Sequence, residues 1–344
     1  MKDQLYMRRA LELARLGNGY TSPNPMVGCV IVYNGQIIGE GWHQQYGGPH
    51  AEVNAIASVQ DKSLLPESRV YVTLEPCSHF GKTPPCADLL IESGVRDVVV
   101  CNLDPNPLVA GRGVQKLLDA GIKVETCLLE QEGLKLNKRF FTSHTLKRPY
   151  IILKWAETAD GFVAGTGCEQ VQISGALAKR FVHKLRAEEQ AIIVGTRTAL
   201  HDNPHLNTRH WSGNNPLRIV IDRQLQLPES INLFDKSQPT IVYTYKKQEE
   251  QENLCFVQLQ DNEPLLPQIM HDLYKRNVIS VLVEGGTYLL ESLLKENLWD
   301  EAFILKNTAK TIVDGIKAPA MTHGSLIEQQ TLGTDVLLHY ENSK

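Results

Sequence analysis

A chain of 344 residues is longer than one hydrophobic core usually organises, so two domains are expected. The net charge of −4, with both signs interspersed, gives no basic footprint for a nucleic acid, and no apolar run approaches the roughly 20 residues that cross a membrane. Seven cysteines without paired spacing, and a charged start with no apolar stretch behind it, point to a reducing, cytoplasmic setting.

Leu5, Ala10, Leu11, Ala14 and Leu16 give helical spacing over 3–16, which Gly17 ends. In the loop 19–25, Pro25 keeps Asn24 extended; an amide fixed there suits reading the edge of a base, and equally suits a plain turn. Strands 27–33 and 36–42 form a hairpin about Asn34-Gly35, with His43 beyond it. His50 opens a helix with Glu52 in its first turn. Strand 69–74 follows, then a helix begun at Cys86 after Pro84-Pro85 and ended by Gly94. Strand 97–101, helix 114–120 and strand 122–126 complete a three-layer α/β domain. A helix over 130–141 leads to a polar, proline-ended loop at 142–148, which sets the domains at 1–145 and 146–344.

His50, Cys77 and Cys86 are soft or borderline ligands of the kind zinc takes, and three of them leave a fourth position for water. Glu52, two residues after His50, is placed to move that water's proton without binding the metal. The alternative is a closed structural site with His79 as fourth ligand, in which Glu52 has no use. His-x-Glu followed by Pro-Cys and a second Cys is similar to the zinc nucleobase deaminases, but eight residues separate Cys77 from Cys86 where that pattern has two. Segment 78–85 carries His79, Lys82 and Thr83 and no acid, which suits an anionic substrate, most simply one bearing a phosphate.

The second half alternates again: strand 149–155, a helix capped by Ser174, strands 191–195, 217–221 and 240–245, helix 265–276, strand 278–283, helix 287–296 and a last strand at 301–305. Glu284-Gly285-Gly286-Thr287 joins a strand to a helix; such a turn holds a pyrophosphate on its backbone N–H groups, or is turn chemistry alone. The chain has no Gly-x-Gly-x-x-Gly, which argues against a Rossmann fingerprint. Loops 154–161 and 196–209 fall at carboxyl ends of strands, where open α/β sheets bind ligands; Arg186 and Arg209 are candidate phosphate clamps there, each taken singly reading more readily as part of a solvated helix face.

Taken together the chain resembles the bifunctional riboflavin-biosynthesis deaminase/reductases, through Pro23-Asn24-Pro25, His50-Ala51-Glu52, Glu75-Pro76-Cys77 with Gly81 to Cys86, Asp104-Pro105-Asn106-Pro107, Asp160-Gly161, Asp202-Asn203-Pro204 and Glu284-Gly285-Gly286. The matching residues run from about 20 to about 300 and leave out the C-terminal 40. The resemblance implies a cytidine-deaminase-like domain that deaminates a phosphoribosylamino-pyrimidine. It also implies a dihydrofolate-reductase-like α/β domain that uses NADPH to reduce the ribosyl group to ribityl. By the same resemblance one zinc falls on His50, Cys77 and Cys86, the proton shuttle on Glu52, and deaminase substrate contacts on Asn24, His43, His79 and Lys82. Reductase substrate contacts fall on Gln170, Arg186, Leu206, Arg209 and Glu284, and NADPH contacts on Glu157, Gln172, Thr198, Asp202, Gly286 and Thr287. The expected partners are a small phosphorylated pyrimidine and further copies of the chain in a homo-oligomer, with no nucleic acid and no membrane. Two places depart from the family pattern: Gln170-Val171-Gln172-Ile173 replaces Ser-x-Trp-Ile, and Arg223 replaces a small residue. The charge of Arg223 suits the 2′-phosphate of NADPH. The alternatives are another zinc nucleobase or tRNA deaminase with an accessory nucleotide-binding domain, and a non-catalytic zinc scaffold.

Overall fold

The computed structural model describes residues 2–78, 84–106, 110–167 and 171–343. The chain divides into two compact units, Met1–Leu146 and Lys147–Lys344.

The first unit contains α1 (Lys2–Arg15), β1 (Gly28–Tyr33), β2 (Gln36–Trp42), α2 (Ala51–Ser58), β3 (Arg69–Leu74), α3 (Cys86–Glu92), β4 (Asp97–Asn102), α4 (Arg112–Asp119), β5 (Lys123–Glu125), α5 (Glu130–Leu136) and α6 (Lys138–Leu146). Its sheet runs β2-β1-β3-β4-β5, antiparallel through β2, β1 and β3 and parallel through β3, β4 and β5. The β1–β2 hairpin turns at Asn34 and Gly35, both with positive φ, the conformation that an Asn-Gly pair accepts most readily. Strand alternation sends Val30, Tyr71 and Val99 to one face against Met7, Ala10 and Leu11 of α1. Cys29, Ile31, Val72 and Val98 go to the other, against Ala51, Ala55 and Ile56 of α2 and Leu90 of α3. The result is three layers. α2 presses unusually close to the sheet, since a Cβ on Gly41 would stand 2.3 Å from Ala55 N.

The single helix expected over 130–141 is two helices, broken at Asn137, and the loop expected at 142–148 is largely the end of α6. Asn137 ends α5 with φ −104° and ψ 27°, outside helical values, and its side-chain amide bonds to the backbone of Met26.

The second unit contains β6 (Tyr150–Glu157), β7 (Phe162–Gly165), α7 (Ala176–Glu188), β8 (Ala191–Gly195), α8 (Thr196–Asp202), β9 (Leu217–Ile221), β10 (Thr240–Thr244), β11 (Leu254–Gln258), α9 (Leu265–Lys275), β12 (Ser280–Val283), α10 (Thr287–Lys295), β13 (Glu301–Asn307), β14 (Gly315–Lys317), β15 (Ser325–Leu332) and β16 (Asp335–Glu341). Its main sheet runs β11-β10-β9-β8-β12-β6-β13-β16-β15. β12 pairs in parallel with both β8 and β6, so the chain returns from the β11 edge to the middle of the sheet and then leaves toward β13. Such a reversal opens a crevice beyond the carboxyl ends of the strands. The strands on either side of it are apolar on both faces, because helices cover both.

Three expectations are corrected here. The cap of α7 is Gly175, not Ser174, and its N–H donates to Asp335 Oδ2 at 2.8 Å. Residues 196–202, expected as loop, form α8. The strand at 301–305 is not the last, since β15 and β16 follow as an antiparallel hairpin with Gly333 at positive φ in its turn. β15 is exposed almost throughout, so it lacks the apolar alternation that marks a strand in sequence.

Candidate active sites

In the first unit His50 is the N-cap of α2 and Glu52 lies in its first turn; Cys77 follows β3 and Cys86 opens α3. Parallel pairing of β3 with β4, and α2 and α3 packed on one face, bring these four together. The ligand atoms of His50, Cys77 and Cys86 all lie within 4.8 Å of one another. His50 Nδ1 is 3.3 Å from Cys86 Sγ and 3.6 Å from Cys77 Sγ. Tetrahedral zinc, with Zn–N of about 2.0 Å and Zn–S of about 2.3 Å, puts its N and S ligands roughly 3.5 Å apart, so the three residues fit the ion as they stand. The donor chemistry fits as well. Cys86 N–H, at the start of α3, donates to Cys77 Sγ at 3.3 Å, and the Cys77 thiol is lowered to about 4, first by its hydrogen bond with the Cys86 thiol and further by His50. Among the described residues the cluster consists of His50, Cys77 and Cys86, and His79, the fourth ligand of the closed alternative, lies outside them.

Glu52 is 3% exposed, its pKa raised by burial and then by the Cys77 charge, and its carboxyl is in hydrogen-bond contact with the Cys86 thiol. His43 is buried too. Its Nδ1 lies 3.0 Å from Pro49 O and can reach that carbonyl only as a donor, so Nε2 is left to accept from Asn24 Nδ2 at 3.2 Å. The His43 ring stands edge-on to His50 with centroids 5.5 Å apart. Asn24, His43, His50 and Glu52 are thereby linked around one spot. His79 and Lys82 lie outside the described residues.

Sequence reasoning missed the part played by Glu75. Its buried carboxylate accepts from the N–H groups of Asp104, Gly111, Gly113 and Val114, at 2.9–3.2 Å, and so ties the end of β3 to the start of α4. The signal available was an acid at a strand end, two residues before a ligand.

In the second unit a cavity of 1540 Å³ opens over the carboxyl ends of β6, β8, β9 and β12. It is lined by Gln172, Arg186, Thr198, Asp202, Leu206, Arg209, Glu284, Gly286 and Thr287 among the expected residues, and by Arg223. Gln170 lies outside the described residues. Glu157 is not in the lining: it accepts from Trp155 Nε1 at 3.0 Å and pairs with Lys306 at 3.5 Å. Asp160 is also elsewhere, accepting from Thr158 Oγ1 and from the N–H groups of Ile312 and Val313. The Gly285-Gly286 turn packs against α8, since a Cβ on Gly285 would stand 2.9 Å from Thr198 Cγ2.

Glu284 is the hub of this cavity. Its two oxygens take Arg186 Nε at 2.7 Å and Nη2 at 2.9 Å, and Lys154 Nζ approaches at 3.3 Å. Burial alone would raise the carboxyl, but Arg186 and Lys154 overcome it and hold it down at about 2. Arg186 Nη1 is taken by Asn207 O at 3.1 Å, so this guanidinium is committed to the frame and the exposed Arg209 is the freer phosphate clamp. His183, which the sequence pattern did not single out, accepts from Arg209 N at 3.0 Å, and burial followed by the nearby Arg186 lowers its pKa to about 4. Its signal was the i, i+3 spacing with Arg186 on α7.

Comparison with known proteins agrees with this division. Residues 1–102 match the cytidine and deoxycytidylate deaminase zinc-binding region, and residues 149–338 match the RibD C-terminal domain. The chain is 43% identical to the riboflavin biosynthesis protein RibD of Aquifex aeolicus over 88% of its own length and 86% of that protein's. The chain belongs to the RibD family. RibD of Escherichia coli is 38% identical, with 88% of this chain and 87% of that protein covered. A solved deaminase/reductase from Thermotoga maritima superposes with a TM-score of 0.89 at 36% identity, covering 99% of each chain, and RibD of Acinetobacter baumannii gives 0.91 at 34%, covering 100% and 99%. Like other RibD proteins, the chain is a bifunctional enzyme of riboflavin biosynthesis, a zinc-dependent deaminase and an NADPH-dependent reductase. The RibD match continues to residue 338, past the point near 300 where the motif resemblance stops.

The metal assignment carries a direct test. Cys86→Ser removes a thiolate whose backbone also holds Cys77, and metal analysis should show zinc falling well below one per chain. Undiminished zinc in that variant would remove Cys86 from the ligand set.

Proposed function

We propose that residues 1–145 deaminate the diaminohydroxyphosphoribosylaminopyrimidine named for the Thermotoga maritima enzyme, and that residues 146–344 reduce the resulting 5-amino-6-(5-phosphoribosylamino)uracil to its ribityl form with NADPH. The observation that carries this reading is the His50, Cys77, Cys86 cluster with the buried Glu52 beside it, in a chain alike to RibD over nearly its whole length.

Zinc held by His50, Cys77 and Cys86 supplies the Lewis acidity that makes water a nucleophile at neutral pH. Glu52 takes the proton from the attacking water and returns it to the departing amine, so that water enters and ammonia leaves. Asn24 and His43 hold the pyrimidine edge, their donor and acceptor directions fixed by the bond each makes to the other and to Pro49. His79 and Lys82 take the phosphate.

In the reductase, NADPH supplies the hydride when bound. Gln172, Thr198, Asp202, Gly286 and Thr287 hold it, with Arg223 at its 2′-phosphate; Glu157 contributes by fixing Trp155, which does line the cavity. Arg209 and Gln170 bind the substrate, Leu206 packs against it, and Glu284 with Arg186 and Lys154 sets the charge around its sugar. Lys154 and Asp202 are the groups at hand for the accompanying proton.

The chain works as a homo-oligomer in the cytoplasm. The open sheet edge at β15, with Leu326 and Ile327 exposed, supports self-association, which light scattering measures. The free thiols of Cys29, Cys101, Cys127 and Cys255 suit a reducing compartment. Among the described residues no helix is long and apolar enough to cross a membrane.

The full chain with zinc, NADPH and the diamino substrate should give a product whose mass shows amino replaced by hydroxyl, followed by a gain of two hydrogens. A chain that deaminates tRNA or a free base and leaves this substrate untouched would overturn the reading.

A further inference from the structure

Asn137 stands at the break between α5 and α6, 4% exposed, and its backbone is already satisfied on both sides: its N–H donates to Gly133 O at 3.1 Å and its C=O accepts from Phe141 N at 3.0 Å. The side-chain amide is therefore free for another partner, and it takes both polar groups of one distant residue. Met26 N donates to Asn137 Oδ1 at 2.8 Å, and Asn137 Nδ2 donates to Met26 O at 2.9 Å. A two-point amide clamp fixes a backbone in position and direction, as one strand does for another. Met26 is two residues from Asn24, with the rigid Pro25 between, and Asn24 Nδ2 bonds to His43 Nε2 beside His50. Behind the clamp, α5 is seated on β4, where Asn102 Nδ2 donates to Glu130 O at 3.0 Å.

We infer that Asn137 is a positioning residue of the deaminase, which holds the Asn24 loop at the substrate edge through Met26 although it touches neither metal nor substrate. This rests on the substrate role proposed for Asn24. A buried amide at a helix break has no use for its two remaining groups unless a partner needs them, and the partner here is the residue that leads from the loop into β1. Small displacements of a substrate-holding group are costly because orientation supplies much of the rate advantage.

Asn137→Leu removes both bonds, while Asn137→Asp keeps the acceptor for Met26 N–H and loses the donor. In the full chain, the KM for the diamino substrate should rise at least about ten-fold in Asn137→Leu and less in Asn137→Asp. Zinc per chain, and the rate at which the same polypeptide reduces the deaminated substrate, should match the parent. KM within two-fold of the parent in both variants would overturn the inference, as would loss of zinc or of reductase rate in step with deamination. If Asn137→Leu fails to fold, Asn137→Asp decides alone. A parent chain that does not act on this substrate would refute the proposed function instead, and the two failures are told apart by that measurement.

Discussion

Glu52→Gln should lower the rate of deamination by about 10²–10⁴-fold, the usual contribution of a general acid–base group, while zinc content and reductase rate stay at parent values. The amide keeps the size of the carboxylate, so the packing of a residue 3% exposed in the first turn of α2 is preserved. It also keeps a hydrogen-bonding contact with Cys86 Sγ. What it cannot do is take a proton from water and deliver it to the departing amine. Among the described residues, the neighbouring groups do not replace it as proton carrier. The buried Cys29 thiol is pushed well above its ordinary pKa, by burial and then by the charge of Glu52, so it stays protonated. His43 is already committed through both ring nitrogens. Ammonia release measured beside metal content separates the outcomes. Near-normal turnover with normal zinc would show that another base does the work.

Much of this site was legible because the chemistry of zinc demands particular residue types at short spacing. His50 and Glu52 are two residues apart on one helix start, and Cys77 and Cys86 each follow a strand or open a helix, so local pattern alone nearly places them. The strands and helices of both units were likewise readable where burial leaves a local mark, as a period in α9 and as a continuous apolar run in β4. Where burial imposes none, the reading failed. β15 is exposed on both faces, β7 and β14 are short and only partly buried, and α8 carries charge and a histidine in place of an apolar stripe. The helix break at Asn137 was invisible for a different reason. The residue at that break is tied through its side chain to Met26, 111 residues away, and no local window contains that contact. Arg186 shows the same limit in reverse: the sequence offered it as a phosphate clamp, but its guanidinium is claimed by a carboxylate 98 residues away.

That claimed carboxylate gives the largest effect expected in the second unit. Glu284→Gln should cost about 3–5 kcal/mol of stability there, the loss seen when one partner of a buried ion pair is removed and the other charge is left behind. Two charges are left in this case. The side chains of Arg186 and Lys154 are 12% and 13% exposed, so neither can turn to solvent without moving the strands and helix that carry them. A glutamine accepts one of the bonds but neutralises nothing. Reductase rate should fall with stability, since Glu284 and Lys154 both line the cavity, whereas zinc content and deamination should persist. The pH dependence distinguishes this cause from lost packing. The carboxyl of Glu284 is held at about 2 in the folded chain, below its ordinary value of 4.5, so its stabilising contribution is fully present above about 4.5 and is lost as pH falls toward 2. The parent reductase unit should therefore lose stability between about pH 5 and pH 3 more steeply than Glu284→Gln does, when urea midpoints are followed by reductase-unit fluorescence in the full chain. Equal slopes, or a variant as stable as the parent at neutral pH, would show that Arg186 and Lys154 find other partners and that Glu284 is not the group that holds the cavity together.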